Sequence, residues 1–409
     1  MRYAGCRTYA ALGLLIAIAA CSASGGVEAP EQVPDAGESS DDAAAAAIDA
    51  GPPEDAGFKD VDLDAERPLA CGDAGFCETR LPTSDIGLPL SLRSVWVVDS
   101  NDVWSVSVEG LVLHYDGTSW TTAYKANHAL YAVWATPTSV WVGGEAGLLF
   151  RRSAEGEWSR VESGHVAPIR AIYGTDDSDV WFTSHGGSVD HFDGMTLTHH
   201  RIDIPDLEVT TVFGRPGFGT YAAGHVKGIL TREQAGNNQK AVPDRPYIFE
   251  LSTENISVFG TSLENTRGFV PMAVVVTDSP TDAKRLFMVG YEYSKRWTTA
   301  GEFSYARVLF SAFGPTGPVS LINLVGYVAV ANDRKGPIVA DVPLLANAWD
   351  DVWLLRKMGE SLRWDGAATS KLSFAMGYDH APTTIFAAHG NATDAWIVGD
   401  GFAVRRATP

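Results

Sequence analysis

The sequence predicts an all-β chain that closes into a single β-propeller of seven four-stranded blades, with six or eight as the alternatives, behind a disordered tether. Three observations carry this. A Trp-centred phrase recurs at Trp104, Trp141, Trp181 and Tyr221, spaced 37, 40 and 40 residues, and again at Trp353 and Trp396, the pitch of one four-stranded blade. A second aromatic (Trp96, Trp134, Tyr173, Phe213) stands seven or eight residues upstream, and a glycine (Gly110, Gly147, Gly187, Gly228, Gly359, Gly401) five to seven downstream. Four residues past each glycine comes His114, Arg151, His191, Arg232, Arg363 or Arg405.

From the N-terminus, residues 1–21 read as an export signal. Arg2 and Arg7 precede an apolar run from Ala10 to Ala20 that is too short to span a bilayer as a mature helix. Its end, Ile18-Ala19-Ala20-Cys21, resembles the lipobox of bacterial lipoproteins. That resemblance implies cleavage before Cys21, lipidation of Cys21 and membrane anchoring through the acylated N-terminus. Ser22 in place of Asp implies the outer membrane. A secretory signal with an incidental cysteine is the alternative.

Residues 22–70 are rich in Ala, Asp, Glu, Pro and Gly. Thirteen acids there face only Lys59 and Arg67, which accounts for about eleven of the chain's net −19 charges. Such a segment buries too little apolar surface to offset ordering entropy, and its self-repulsion extends it. The remainder is mildly acidic and has no basic stripe for nucleic acid. Of the four cysteines, Cys71 and Cys77 suit a local disulfide in a small collar over 71–81. Metal binding there would need more ligands than Asp73 supplies.

The propeller is expected over 82–409. Blade one is assigned to 92–129, blade two to 130–168, blade three to 169–208, and blade four begins at 209. Phe287 lies 66 residues from both Tyr221 and Trp353, which points to one intervening blade with enlarged loops, or two cramped ones. Blade six covers about 344–383. Blade seven, from 384, offers only three strands, and residues 82–91 are the expected filler of its exposed edge. Asp-Gly at 116–117, 193–194 and 365–366 signals type I′ hairpins. Aromatics at 96, 104, 134, 141 and 181 are expected to fill the wedges between blades, each burial worth roughly 1.5–3 kcal/mol.

His114 and His191 share their phase with four arginines, so they serve architecture, with a polar end reaching toward the neighbouring blade. Asp116, Asp193 and Asp365 are turn formers for the same reason. The repeat resembles Asp-box (BNR) and photosystem-assembly-factor-like propellers, and Asp116-Gly117-Thr118-Ser119-Trp120 looks like a shortened Asp-box hairpin. The likeness is good over 92–230 and 344–409 and poor between them. Blade three has Leu197 where a Trp would stand, and the Arg, Tyr/Glu and acid set of sialidases has no counterpart, so their activity does not carry over.

The resemblance orients the ring. The mouth opposite the Asp-Gly turns collects the insertions at 234–270, 290–301 and 316–343. Tyr291, Tyr293, Lys295, Arg296 and Trp297 form the richest loop, suited to carbohydrate stacking or a protein hot spot, or to packing beneath the loop itself. His128, His165 and His380 lie in inter-blade links, with His185 and His225 as further rim candidates. Converging imidazoles suit a metal or a pH response, and hydrogen bonding to adjacent strand ends accounts for them equally.

No phosphate loop, nucleophile elbow, HExxH or dinucleotide fingerprint occurs, so neither catalytic residues nor a cofactor are assigned. The expectation is a lipid-anchored cell-envelope propeller acting as a non-catalytic protein-binding or scaffold module. The alternative is a glycan-directed lectin or polysaccharide-cleaving enzyme, drawing on the Tyr/Trp/Arg segment and on rim acids such as Asp206 and Asp379.

Overall fold

The computed structural model describes residues 69, 71–72, 74–183, 186–226, 230–231, 240–241, 245–258, 269–277, 285–298, 301–314, 317–322, 327–329, 343–355, 360–373, 384–390 and 394–407. Side chains are described throughout these ranges except at 230–241, 269–272, 285–329, 360, 369, 372–373 and 407. The signal and the acidic tether, with Cys21, lie outside the described residues.

Among the described residues are six four-stranded sheets and a seventh of five strands, all paired antiparallel. Blade one comprises Leu92–Asp99, Asp102–Ser107, Leu111–Tyr115 and Trp120–Lys125. Blades two and three repeat this over 130–160 and 171–201. Blade four runs from Leu207–Arg215 and Gly219–Val226 to Arg245–Leu251 and Ile256–Val258, with a small two-stranded pair at 230–241 inserted between its second and third strands. A single sheet over 269–329 is blade five. Phe287 lies on its second strand opposite Val275, so one blade, not two, fills the irregular region. The first strand of each blade lies beside that of the next, and Ile385–Gly390 of blade seven returns to Leu92–Asp99, closing the ring at seven.

The closing strand differs from expectation. Cys77–Thr79, not residues 82–91, pairs antiparallel with Ala403–Ala407 as the outermost strand of blade seven. Residues 82–91 instead make a turn over 84–87 and touch the ring through the isolated Ser91–Asp400 bridge. The reason is packing: Phe76 is fully buried against Trp353, Ile385, Ile397 and Val404, which fixes the position of the strand that follows it. Thr79 Oγ1 donates to the Ala403 carbonyl at 2.9 Å and accepts from Trp120 Nε1 of blade one at 3.0 Å. Cys71 and Cys77 are joined by a disulfide, so the segment taken as a separate collar is continuous with the ring.

The recurrent His/Arg answers to an aspartate in its own blade. Cross-strand register pairs Trp104 with His114, Trp181 with His191, Trp353 with Arg363 and Trp396 with Arg405. The residue two before each Trp is Asp102, Asp179, Asp351 or Asp394, which the period-2 alternation puts on the same face. Asp102 Oδ1 accepts from Trp104 Nε1 at 2.6 Å and lies 2.9 Å from His114 Nε2. Asp179 repeats this with Trp181 and His191 at 2.7 and 2.8 Å, and Asp351 with Trp353 and Arg363 at 2.7 Å each. In blade seven Arg405 Nε donates to Asp394 at 2.6 Å. The polar end therefore reaches back to its own second strand, although Arg151 and Arg405 also lie over Phe192 and Tyr115 of the next blade. Blade two has Ser139 where blades one, three, six and seven have the acid. There Asp177 of blade three crosses over to accept from Thr136, Thr138 and Ser139 at 2.7, 2.6 and 2.5 Å.

The Asp-Gly turns are not type I′. Only the glycines have positive φ, at 96°, 92° and 92° for Gly117, Gly194 and Gly366. Each aspartate instead accepts backbone N–H bonds from the residues two and three ahead, as Asp116 does from Thr118 and Ser119 at 2.9 Å. A side-chain acceptor that mimics a backbone turn makes a second left-handed residue unnecessary.

The aromatics divide into two sets. Those on second strands fill the wedges: Trp141 lies 4.9 Å from Phe192 and Trp396 lies 4.8 Å from Tyr115, each against the next blade. Those on first strands meet across the centre. Trp96 lies 6.3 Å from Trp134, 6.0 Å from Tyr173 and 3.9 Å from His389, rings from blades two, three and seven. Only a side chain directed into the middle of the ring reaches all three, so these residues plug it rather than fill a wedge.

His389 occupies the first-strand aromatic position of blade seven. It stacks on Trp96, and its Nδ1 accepts the Val97 N–H at 2.9 Å. Burial pushes its pKa from 6.5 down to about 4. Between those values the unfolded chain binds the proton that the folded chain refuses, so stability falls as pH drops from about 6.5 to about 4. Equilibrium unfolding across this range is expected to show that limb in the wild type and to lose it in His389→Phe.

Candidate functional site

The strongest candidate surface is at the N-terminal ends of the first strands, where they open onto one mouth of the ring. Their pairing with the second strands skips a residue between Leu92 and Ser94, Leu130 and Ala132, Val209 and Thr211, Pro271 and Ala273, and Ile385 and Ala387. The skipped residues are Arg93, Tyr131, Thr210, Met272 and Phe386, and Arg170 stands at the same phase immediately before the first strand of blade three. A bulge leaves its extra residue unpaired and re-aims the side chain.

Neighbouring blades then combine. The Arg93 guanidinium lies 3.7 Å from the Phe386 ring centroid, joining blades one and seven. The Arg170 guanidinium lies 4.8 Å from that of Tyr131, joining blades three and two. Arg170 is exposed, whereas Arg93 Nε is buried and makes no hydrogen bond among the described residues. An arginine held flat on an aromatic face loses little freedom on binding and presents its remaining donors to a carboxylate or a carbonyl. Sequence reasoning missed this set. The signal was its phase, three residues before Trp96, Trp134, Tyr173, Phe213 and His389.

The residues proposed from sequence are dispersed. His128 is exposed in the link from blade one to blade two, and His225 is buried near the end of the second strand of blade four, opposite Glu208. His185 and His380 lie outside the described residues. His165, in the link from blade two to blade three, meets Asp190 and His199, two residues not singled out from sequence. Tyr291, Tyr293, Lys295, Arg296 and Trp297 are not in a loop. They continue the second strand of blade five, Arg285–Thr298, which pairs along its whole length with Gly301–Gly314. Tyr291 stands opposite Val308, Tyr293 opposite Ala306 and Trp297 opposite Glu302. Both arms are rich in aromatic and β-branched residues, which favour a pleated ribbon over an irregular loop. The side chains of this hairpin lie outside the described part of the structure.

The turn aspartates are held charged. Asp116 is lowered to about 2 by its hydrogen bonds from the Thr118 side chain and the Ser119 and Thr118 backbone, and Asp193 to about 2 by the Thr196 and Met195 N–H groups. A general acid needs the opposite displacement, so these carboxylates act as turn formers.

No protein-family model and no curated protein sequence matches the chain. Solved structures do resemble it. YCF48 bound to D1 peptide superposes with a TM-score of 0.51 at 13% identity, covering 83% of this chain and all of that one. The extracellular domain of BT4673 from B. thetaiotaomicron gives 0.53 at 11% identity over 81% of this chain and 39% of that one. At such identities the likeness is one of fold, and the chain is a β-propeller structurally similar to the YCF48 photosystem-assembly-factor propeller.

Proposed function

We propose that this propeller is a non-catalytic protein-binding module whose central mouth grips an extended peptide segment carrying carboxylates, with Arg93 and Arg170 as the anchoring cations. The observation that carries the reading is the stacking of Arg93 on Phe386 and of Arg170 on Tyr131 at one mouth of the ring, because an arginine held flat on an aromatic face is pre-organised to pair with a carboxylate. The aromatic plug formed by Trp96, Trp134 and Tyr173 gives the cup a floor, so a segment is held at the mouth and does not thread through. The peptide held by YCF48 is consistent with an architecture of this kind accommodating such a ligand. The likeness of Ile18-Ala19-Ala20-Cys21 to a lipobox supports a second part of the same reading, in which the module is lipid-anchored in the cell envelope, at the outer membrane.

The test is a peptide array and a glycan array probed with the purified chain, alongside an Arg93→Ala/Arg170→Ala variant. Acidic peptides are expected to bind, with affinity reduced about tenfold or more in the variant, since a charge-assisted hydrogen bond contributes about 1.5–3 kcal/mol. Binding to glycans alone, or peptide binding indifferent to the two arginines, overturns the reading. Fractionation of cells making Cys21→Ser checks the anchor, with the protein expected to leave the membrane fraction.

A further inference from the structure

We propose that His165, Asp190 and His199 form a binding site for a divalent transition-metal ion of the zinc type on blade three, separate from the peptide-binding mouth. Asp190 lies on the third strand, Ser188–Phe192, opposite His199 on the fourth, Leu197–Arg201. His165 comes from the link that enters the blade. One Asp190 oxygen lies 2.8 Å from His165 Nε2 and the other 2.8 Å from His199 Nδ1. One ligand atom from each of the three residues lies within 4.8 Å of the others.

The repeat itself marks Asp190 as out of place. The residue preceding the recurrent His/Arg is Leu113 in blade one, Phe150 in blade two, Leu362 in blade six and Val404 in blade seven. Blade three alone of these five puts a carboxylate at that position, and it is 1% exposed. Architecture asks for an apolar residue there, and a buried carboxylate is unfavourable unless compensated. The partners shown for Asp190 are the two imidazoles, with no lysine or arginine among its ion pairs in the described residues.

Two imidazole nitrogens and one carboxylate are a donor set for zinc, copper, nickel or iron(II), and zinc accepts such ligands at about 2.0–2.2 Å. Tetrahedral ligands at that distance stand about 3.3 Å apart, so three ligand atoms that already lie within 4.8 Å of one another close on a common ion by side-chain adjustment, without a change of backbone. His165 is held ready for this. Its N–H donates to Ser163 Oγ at 3.2 Å, and that hydroxyl donates to the Gly147 carbonyl at 2.6 Å. Gly147 has a φ of 70°, and a Cβ there would collide with the His165 carbonyl. The His199 side chain is 53% exposed, which leaves the fourth coordination position toward solvent for water or an outside ligand.

The experiment is calorimetric titration of the chelator-treated full chain with zinc chloride at pH 7.5, with metal content measured after gel filtration. One equivalent is expected per chain. His199→Ala, an exposed edge-strand change, is expected to lower zinc affinity at least about tenfold, in the range that disturbing a metal's surroundings produces. Asp190→Leu restores the residue type of the other blades. It is expected to fold, with a midpoint of thermal unfolding no lower than the wild type, and to bind no zinc at this site. Absence of a stoichiometric zinc event, or an event of unchanged affinity in both variants, overturns the proposal.

Discussion

Replacing Phe76 with alanine is expected to lower the unfolding free energy by about 3–5 kcal/mol, the range for emptying a buried aromatic site. Phe76 is fully buried, edge-on to Trp353 at 5.8 Å, and lies within the cluster formed by Leu345, Leu355, Ile385, Ile397 and Val404. Its ring is thus shared between blades six and seven, one residue ahead of the strand that completes the ring. A cavity there loosens the contact that holds Cys77–Thr79 in register, so the site relaxes poorly. Urea unfolding followed by tryptophan fluorescence measures the change. A loss below about 1 kcal/mol, the usual size of a surface change, would mean that the ring closes without this anchor.

Asp351→Ala is expected to destabilise by about 3 kcal/mol or more, because it strands several donors at once. Asp351 accepts from Asn347 Nδ2, Trp353 Nε1 and Arg363 Nε at 2.7 Å each, and from Arg406 Nη2 of blade seven at 3.1 Å. Burial alone would raise its carboxyl pKa. Hydrogen bonds from Asn347, Trp353 and Arg363 overcome that and leave it below the ordinary value of 3.8. The sign follows: stability from this carboxylate is present above the unfolded pKa near 3.8 and is lost as pH falls through the lowered folded value. Acid titration of the alanine variant is expected to lack that part of the wild-type loss. A change in stability smaller than about 1 kcal/mol would show that water replaces the acid without penalty.

Blade count and most blade boundaries were legible because the same packing problem recurs in each blade and is solved by the same residue types. Trp104, Trp141, Trp181 and Trp353 announce themselves through their size. The aspartates two residues before Trp104, Trp181 and Trp353 are equally periodic, but short acids carry no packing signal of their own, so the sequence points the recurrent His/Arg toward the neighbouring blade instead of toward its own second strand. The closing strand was misplaced for another reason. Cys77–Thr79 has three residues and no aromatic phrase, and its position is set by Phe76 docking on residues more than 260 positions away.

The mouth was hidden because Arg93, Tyr131, Arg170, Thr210 and Phe386 share a backbone position and no common chemistry. A bulge is visible only once the strand pairing is known. The segment from Tyr291 to Trp297 reads as a loop in the sequence because it lies in an insertion that the repeat does not constrain. Nothing in the local sequence forbids a longer ribbon, and its alternation of β-formers supports one.

Closure through an N-terminal strand orders events in time. The Thr79 to Ala403 hydrogen bond joins residues 324 positions apart, so the final sheet cannot be completed until nearly the whole polypeptide has been made. Contacts of such long range form slowly, and a chain truncated anywhere before its last strand retains an unpaired β edge. Such an edge is a template on which a strand of another molecule can pair, so an unfinished ring is the form most exposed to aggregation.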